Sequence, residues 1–180
     1  TRSYNCITVK AAEGGKTHLD LIGKAITWKD GDQIMVQDRN NLENMAVFTL
    51  DPSCDGSSTG EFRICDDSGK VDENASITGS EFNLFYLNRR EQPILNREKE
   101  GGVSVLSDQI YVEDGIEDNI LPMTAYSSNL NDVTLKCQAS ILSINLKNNE
   151  ATTKTLQSIE LSSEDYLSGN IFVDLKNNLR

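Results

Sequence analysis

Residues 25–36 read AITWKDGDQIMV, two strand-like runs around a tight polar turn, with the only tryptophan of the chain, Trp28, at the end of the first run. Lys29-Asp30-Gly31-Asp32 has the makings of the turn, because glycine accepts a positive φ without a Cβ clash and aspartate can hydrogen-bond nearby backbone amides. Beyond it Ile34 and Val36 point one way and Gln33 and Met35 the other, the period of two of a half-buried strand. A large indole beside such a turn is expected to anchor a core, since a Trp that packs inward buries about 150–250 Å². The competing reading of Trp28 is a ligand-stacking surface.

Working outward, the flanking segments repeat the strand pattern. Ser3–Lys10 alternates, with Tyr4, Cys6 and Thr8 on one face and Asn5, Ile7 and Val9 on the other, and the polar stretch 11–17 with Gly14-Gly15 reads as a connection from which this strand can detach. Met45–Leu50 and Glu61–Ile64 form a hairpin around the Gly/Ser-rich tip DGSSTG, with Val47 or Phe48 and Phe62 facing inward. Glu81–Leu87, EFNLFYL, is the most apolar strand up to that point and is expected to be central. Asn88–Gly102 reads as a charged, protease-accessible loop. Strands follow at 103–106, 109–112, 121–126 and 133–137. Ser140–Leu146 has the clearest alternation of all, Thr155–Ser162 repeats it through Ile159 and Leu161, and Ile171–Asp174 closes the series. About a dozen short strands with turn signals between them predict an all-β sandwich of antiparallel strands, occupying residues 1–180 as one domain, with helix confined to one turn near Lys136–Ser140.

Composition narrows the function classes. The 180 residues suffice to bury a core without metal or disulfide staples. Seventeen basic and 28 acidic residues give a formal net charge of −11, which repels nucleic-acid phosphates and anionic lipid heads. No apolar run approaches the roughly 20 residues of a membrane helix. No charged-then-apolar leader opens the sequence, so the expected chain is soluble, with any export signal removed.

Four cysteines, Cys6, Cys54, Cys65 and Cys137, allow three pairings. Cys54 and Cys65 would face each other if the hairpin turned near Ser58 and Thr59; the alternative is four free thiols. Zinc is disfavoured by the absence of a CxxC pair and by a single histidine. That residue, His18 in KTHLDL, has no neighbouring Cys or Ser and reads as an ordinary strand or loop residue. The acidic stretch Cys65–Ser80 lacks the alternate acids and sixth-position glycine of a calcium loop, and Asn74-Ala75-Ser76 is formally a glycosylation triplet. Phosphate-cradling glycine motifs and a GxSxG elbow are absent, and 28 acids are too many to single out a working pair. The sequence therefore predicts no catalytic, cofactor-binding or metal-ligating residue and no cofactor.

The order of segments is more specific than any residue. W-x-x-G-D before an apolar strand (Trp28, Gly31, Asp32), D-Q-x-Y … L-P-M-x-A (Gln109, Tyr111, Pro122, Met123, Ala125) and S-I-x-L … L-S-G-x-x-x-V-D (Ser158, Ile159, Leu161, Leu167, Ser168, Gly169, Val173, Asp174) resemble the N-terminal domain of the fimbrillin-like, or Mfa-like, fimbrial subunits of Bacteroidetes-type anaerobes. The resemblance implies a transthyretin-like sandwich, export as a lipoprotein to the outer membrane and cell surface, and a role as pilus stalk, tip or anchor. It also implies partners that are other subunits joined through edge-strand pairing, with proteolytic removal of the first strand as the trigger. Such proteins carry a second sandwich, which residues 1–180 are not expected to include. The alternative is a surface module for a glycan or host protein, which would show an exposed aromatic platform.

Overall fold

The computed structural model describes residues 1–11, 26–86, 94–95, 101–105, 122–139, 144, 146–165 and 168–173. Its strands are β1 (Arg2–Tyr4), β2 (Cys6–Lys10), β3 (Gln33–Asp38), β4 (Met45–Leu50), β5 (Thr59–Cys65), β6 (Ile77–Gly79), β7 (Phe82–Tyr86), β8 (Ile94–Leu95), β9 (Gly101–Val105), β10 (Met123–Ser127), β11 (Val133–Thr134), β12 (Lys136–Cys137) and β13 (Gly169–Val173). The protein is all-β, as the alternating sequence demands.

The main sheet has eight strands in the order β11-β2-β5-β4-β3-β7-β10-β12. Its two outermost strands are successive pieces of one segment, separated only by Leu135. β11 runs parallel to β2, with Val133 opposite Val9, and β12 runs antiparallel to β10, with Met123 opposite Cys137. Leu135 N donates to Lys10 O at 3.1 Å, and Gln138 N donates to Pro122 O at 2.8 Å. The segment 133–137 thus joins both ends of the sheet into a nearly closed, sandwich-like barrel, which removes the bare edges that an open sheet must protect. The β11–β2 contact is the one parallel pairing among the described strands.

The interior is filled by Tyr4, Ile7, Val9, Trp28, Ile34, Val36, Phe48, Leu50, Phe62, Phe82, Leu84 and Tyr86, closed from the seam side by Leu130, Val133 and Leu135. β7 is central, between β3 and β10, and all five of its residues are buried. Gln33–Asp38 departs from the half-buried expectation: Ile34 and Val36 face the core, and Met35 and Gln37 on the opposite face are buried too. Only the half-buried Gln33 keeps the predicted exposure. A smaller sheet, β13-β9-β8, brings β9 alongside β7.

Four local expectations are corrected. Lys136 and Cys137 are strand, and the one helical turn among the described residues is Pro52–Cys54, where Asp51 accepts from Ser53 N and proline presets φ at the start. The hairpin turns two to three residues earlier than DGSSTG suggests: Leu50 pairs with Phe62 and Val47 with Cys65, which centres it on Gly56, at φ 77°. Ile94–Leu95 and Gly101–Gly102 are strand residues inside the segment read as loop. Finally, residues 153–163 and the described residues of 140–146 form no strand and are exposed. Tertiary pairing, not alternation, decides whether such a segment becomes a strand. The 12–17 connection, His18, the 109–112 strand, the acidic turn after it, and Gln109, Tyr111, Leu167 and Asp174 lie outside the described residues.

Candidate functional site

The first strand is the element with a predicted role, and the fold gives it neighbours on both sides. β2 lies one strand in. Along one side it pairs antiparallel with β5, Cys6 opposite Arg63 through Lys10 opposite Thr59. Along the other it meets β11, and Thr8 N donates to Leu130 O at 3.0 Å. Ile64 N to Asn5 O at 2.9 Å and Ala11 N to Ser58 O at 2.8 Å continue the ladder past both ends. The cause is the seam: a segment 120 residues away in sequence supplies the second neighbour, which no local pattern announces.

Its side chains divide by a bend. Strict alternation would set Tyr4 opposite Ile7 and Val9, but the chain bends at Asn5 between β1 and β2, so Tyr4, Ile7, Val9 and Ala11 are all buried in one core. β1 leaves the main sheet to pair with β6, Tyr4 opposite Ile77. Tyr4 packs edge-on to Phe82, ring centroids 5.7 Å apart, and its buried hydroxyl has no hydrogen-bond partner among the described residues. Lys10 Nζ lies 3.0 Å from Asp132 Oδ1, an exposed ion pair that adds little to stability.

Trp28 holds this strand from inside. Its ring is buried, edge-on to Phe62 at 5.0 Å and tilted against Tyr86 at 5.9 Å, which makes it a core anchor and not a stacking platform. The W-x-x-G-D motif is accounted for residue by residue. Gly31 takes φ 85°, which a side chain would resist. Asp32 is buried, and its two oxygens accept from Lys29 N at 2.8 Å and from the Tyr86 hydroxyl at 2.9 Å. Gly60, opposite Val9, leaves room for the indole: a Cβ there would come within 2.9 Å of Trp28 and 2.6 Å of Leu50.

The remaining candidates among the described residues are the cysteines and the acidic loop. All four cysteines are free. Cys54 Sγ sits 3.4 Å from Glu61 N, whereas Cys65 lies four residues further along β5, about 13 Å at the usual strand rise. A disulfide needs Cα atoms within about 7 Å, so the earlier hairpin turn rules out that bridge. Burial pushes the Cys6, Cys65 and Cys137 thiols above the ordinary range, leaving them poor nucleophiles. In the acidic loop, Asp66 Oδ1 accepts from the Ser68 hydroxyl and from Ser68 and Lys70 amides, which holds its carboxyl below the usual range. Asp51 is lowered in the same way, by the Ser53 hydroxyl first. These carboxylates shape turns. Among the described residues no three His, Cys, Asp or Glu are grouped to hold a metal ion, and no described helix is long and apolar enough to cross a membrane.

What sequence reasoning missed is the wall around β2: Leu130, Val133 and Leu135 on one side and Gly60 on the other. The apolar alternation of 133–137 was a visible signal for a strand, but not for its partners. No family model, no curated protein and no solved structure matches the chain.

Proposed function

We propose that the chain is a non-enzymatic structural and adhesive subunit of a bacterial surface fimbria, a fimbrillin-like protein with a transthyretin-like sandwich. In this reading it is exported as a lipoprotein to the outer membrane and assembles when a strand of another subunit takes the place of β2. The observation that carries this reading is the slot that β2 fills. Both walls, β5 and β11, belong to the rest of the chain, and its floor is Trp28, Phe62 and the seam residues. Emptied, it would present unpaired amides and carbonyls on two sides and an apolar groove between them, a template for an incoming strand. A strand paired on both sides does not leave spontaneously, so exchange needs the chain cut behind β2. Lys10 is itself in the ladder and ion-paired, which shields it from a protease; the cut belongs further on, toward Lys16.

The alternative, a glycan- or host-protein-binding module, needs an aromatic platform. Of the aromatic side chains whose burial is described, only Tyr126 is not buried, and the Arg39 guanidinium covers its ring at 5.8 Å. Immunogold electron microscopy of cells producing the protein tests the proposal. Label along surface filaments is the expected result. Label on the cell surface without filaments would favour the binding module, and no surface label would overturn both.

A further inference from the structure

Leu156, Ile159, Leu161 and Ser163 are spaced three, two and two residues apart, the same spacing as Tyr4, Ile7, Val9 and Ala11, the four side chains that the first strand buries. The correspondence includes the three-residue step that the bend at Asn5 produces. Residues 153–163 form no strand, and the three aliphatic side chains stand 60 %, 50 % and 56 % exposed, which is costly for a segment of this hydrophobicity. The positions between also correspond: Ser158, Glu160 and Ser162 would stand where Cys6, Thr8 and Lys10 face outward.

We propose that Leu156–Ser163 is the donated strand, and that it occupies the β2 slot of a second copy of this chain. The inference rests on the reading that this slot can be refilled. Backbone pairing to β5 and β11 would be regained whatever the side chains, since ladder bonds do not depend on them. The core positions fit by size: Ile159 for Ile7 is identical, Leu161 for Val9 adds one methylene, and Ser163 for Ala11 adds a hydroxyl. Leu156 for Tyr4, at the β1 end of the segment, gives up the edge contact with Phe82 but removes a hydroxyl buried without a partner among the described residues. Charge favours a second copy as well. The donated strand Leu156–Ser163 carries one charge, Glu160, so it approaches another chain of net charge −11 with little of the repulsion the remaining surface would meet. Two positions are mismatched: Ser163 would bring a hydroxyl to the buried Ala11 position, and Glu160 would lie opposite Glu61, the partner of Thr8.

The test keeps the folded full-length chain and cuts it once, at a specific protease site set in place of Gly14-Gly15, so that the first strand is held by noncovalent contacts alone. Exchange is then read by fluorescence polarisation with labelled peptides. A peptide of residues 1–12 reports whether the slot refills at all. The peptide of residues 154–165 is expected to displace it and bind; Ile159→Asp in that peptide abolishes binding, and Glu160→Thr tightens it roughly two- to fivefold by relieving the pair with Glu61. Rebinding of 1–12 without binding of 154–165, or an Ile159→Asp peptide that binds as well as its parent, would overturn the donor assignment and leave the slot reading standing. Failure of both peptides would overturn the two together.

Discussion

The indole N–H of Trp28 donates to the carbonyl oxygen of Val9 at 3.1 Å, with both residues buried. This bond ties the segment that begins the large hairpin to the middle of the first strand, 19 residues earlier, and it is made from the core side of the sheet. Trp28→Ala is expected to lose about 3–5 kcal/mol, the range for deleting a large buried aromatic. Trp28→Phe keeps most of the packing but removes this donor, for about 0.5–1.5 kcal/mol, because the Val9 carbonyl keeps its ladder position opposite Gly60. Denaturant unfolding followed by far-ultraviolet circular dichroism separates the two; a loss below about 1 kcal/mol for Trp28→Ala would mean that the indole is not an anchor.

Gly60 makes the indole's seat. A Cβ would lie 2.6 Å from Leu50 Cδ1 and 2.9 Å from both Trp28 Cδ1 and Phe62 Cε2, closer than packed atoms tolerate, and all three neighbours are themselves buried. Gly60→Ala is expected to destabilise by about 1–3 kcal/mol even though alanine is the better strand residue in isolation. Equilibrium unfolding measures it. A neutral result would show that Trp28 can shift at no cost, and with it the floor of the β2 slot.

The contrast between these two residues shows which features were legible in sequence. Trp28, the Gly31 turn, β4 and the central β7 follow from period, propensity and turn chemistry, all of which act within a few residues. The Gly60 requirement, the hairpin register and the closing seam depend on what lies across the sheet. Cys65 opposite Val47 follows from a turn centred on Gly56, and the local signals of DGSSTG pointed two to three residues too far. Tyr4 joins the face of Ile7 and Val9 because β1 leaves for β6, a partner some 75 residues away. The same limit applies to the site. The first strand could be singled out by its glycine-backed position, but its second neighbour, β11, could not.

Asp32 and Tyr86 extend the W-x-x-G-D turn into the core. The Tyr86 hydroxyl donates to Asp32 Oδ1 at 2.9 Å across 54 residues, and Lys29 N caps the other oxygen. Tyr86→Phe removes this donor from a buried carboxyl, which is expected to cost about 1–3 kcal/mol. Ile34 and Tyr86 are cross-strand partners, so the loss should also loosen the junction of β3 with β7. Amide hydrogen exchange checks this: protection should fall at residues 33–36 and 84–86 more than at β5. Uniform loss of protection over the sheet would mean that the bond contributes only to global stability.

The cysteines give a prediction in pH. Burial raises the Cys6, Cys65 and Cys137 thiols above their ordinary value of 9.0; nearby carboxylates add to the effect, Glu61 at Cys6 and Asp66 at Cys65. A group whose folded pKa is raised contributes stability that is fully present below its unfolded pKa and is lost as pH climbs toward the folded one, because the unfolded chain ionises first. Stability should therefore hold through neutral pH and begin to fall as pH passes about 9. Replacing Cys65 by Ser should flatten that fall, at the cost of a constant loss at every pH from the packing it removes. The same thiols should resist iodoacetamide at pH 8 in the native state and react once denaturant unfolds the chain, since the thiolate is the reacting species. Mass spectrometry after partial labelling reads the sites directly. Rapid native labelling of Cys65, or a Cys54–Cys65 crosslink formed under mild oxidation without unfolding, would contradict the register of the β4–β5 hairpin, and rapid labelling of Cys137 would contradict the burial of its thiol.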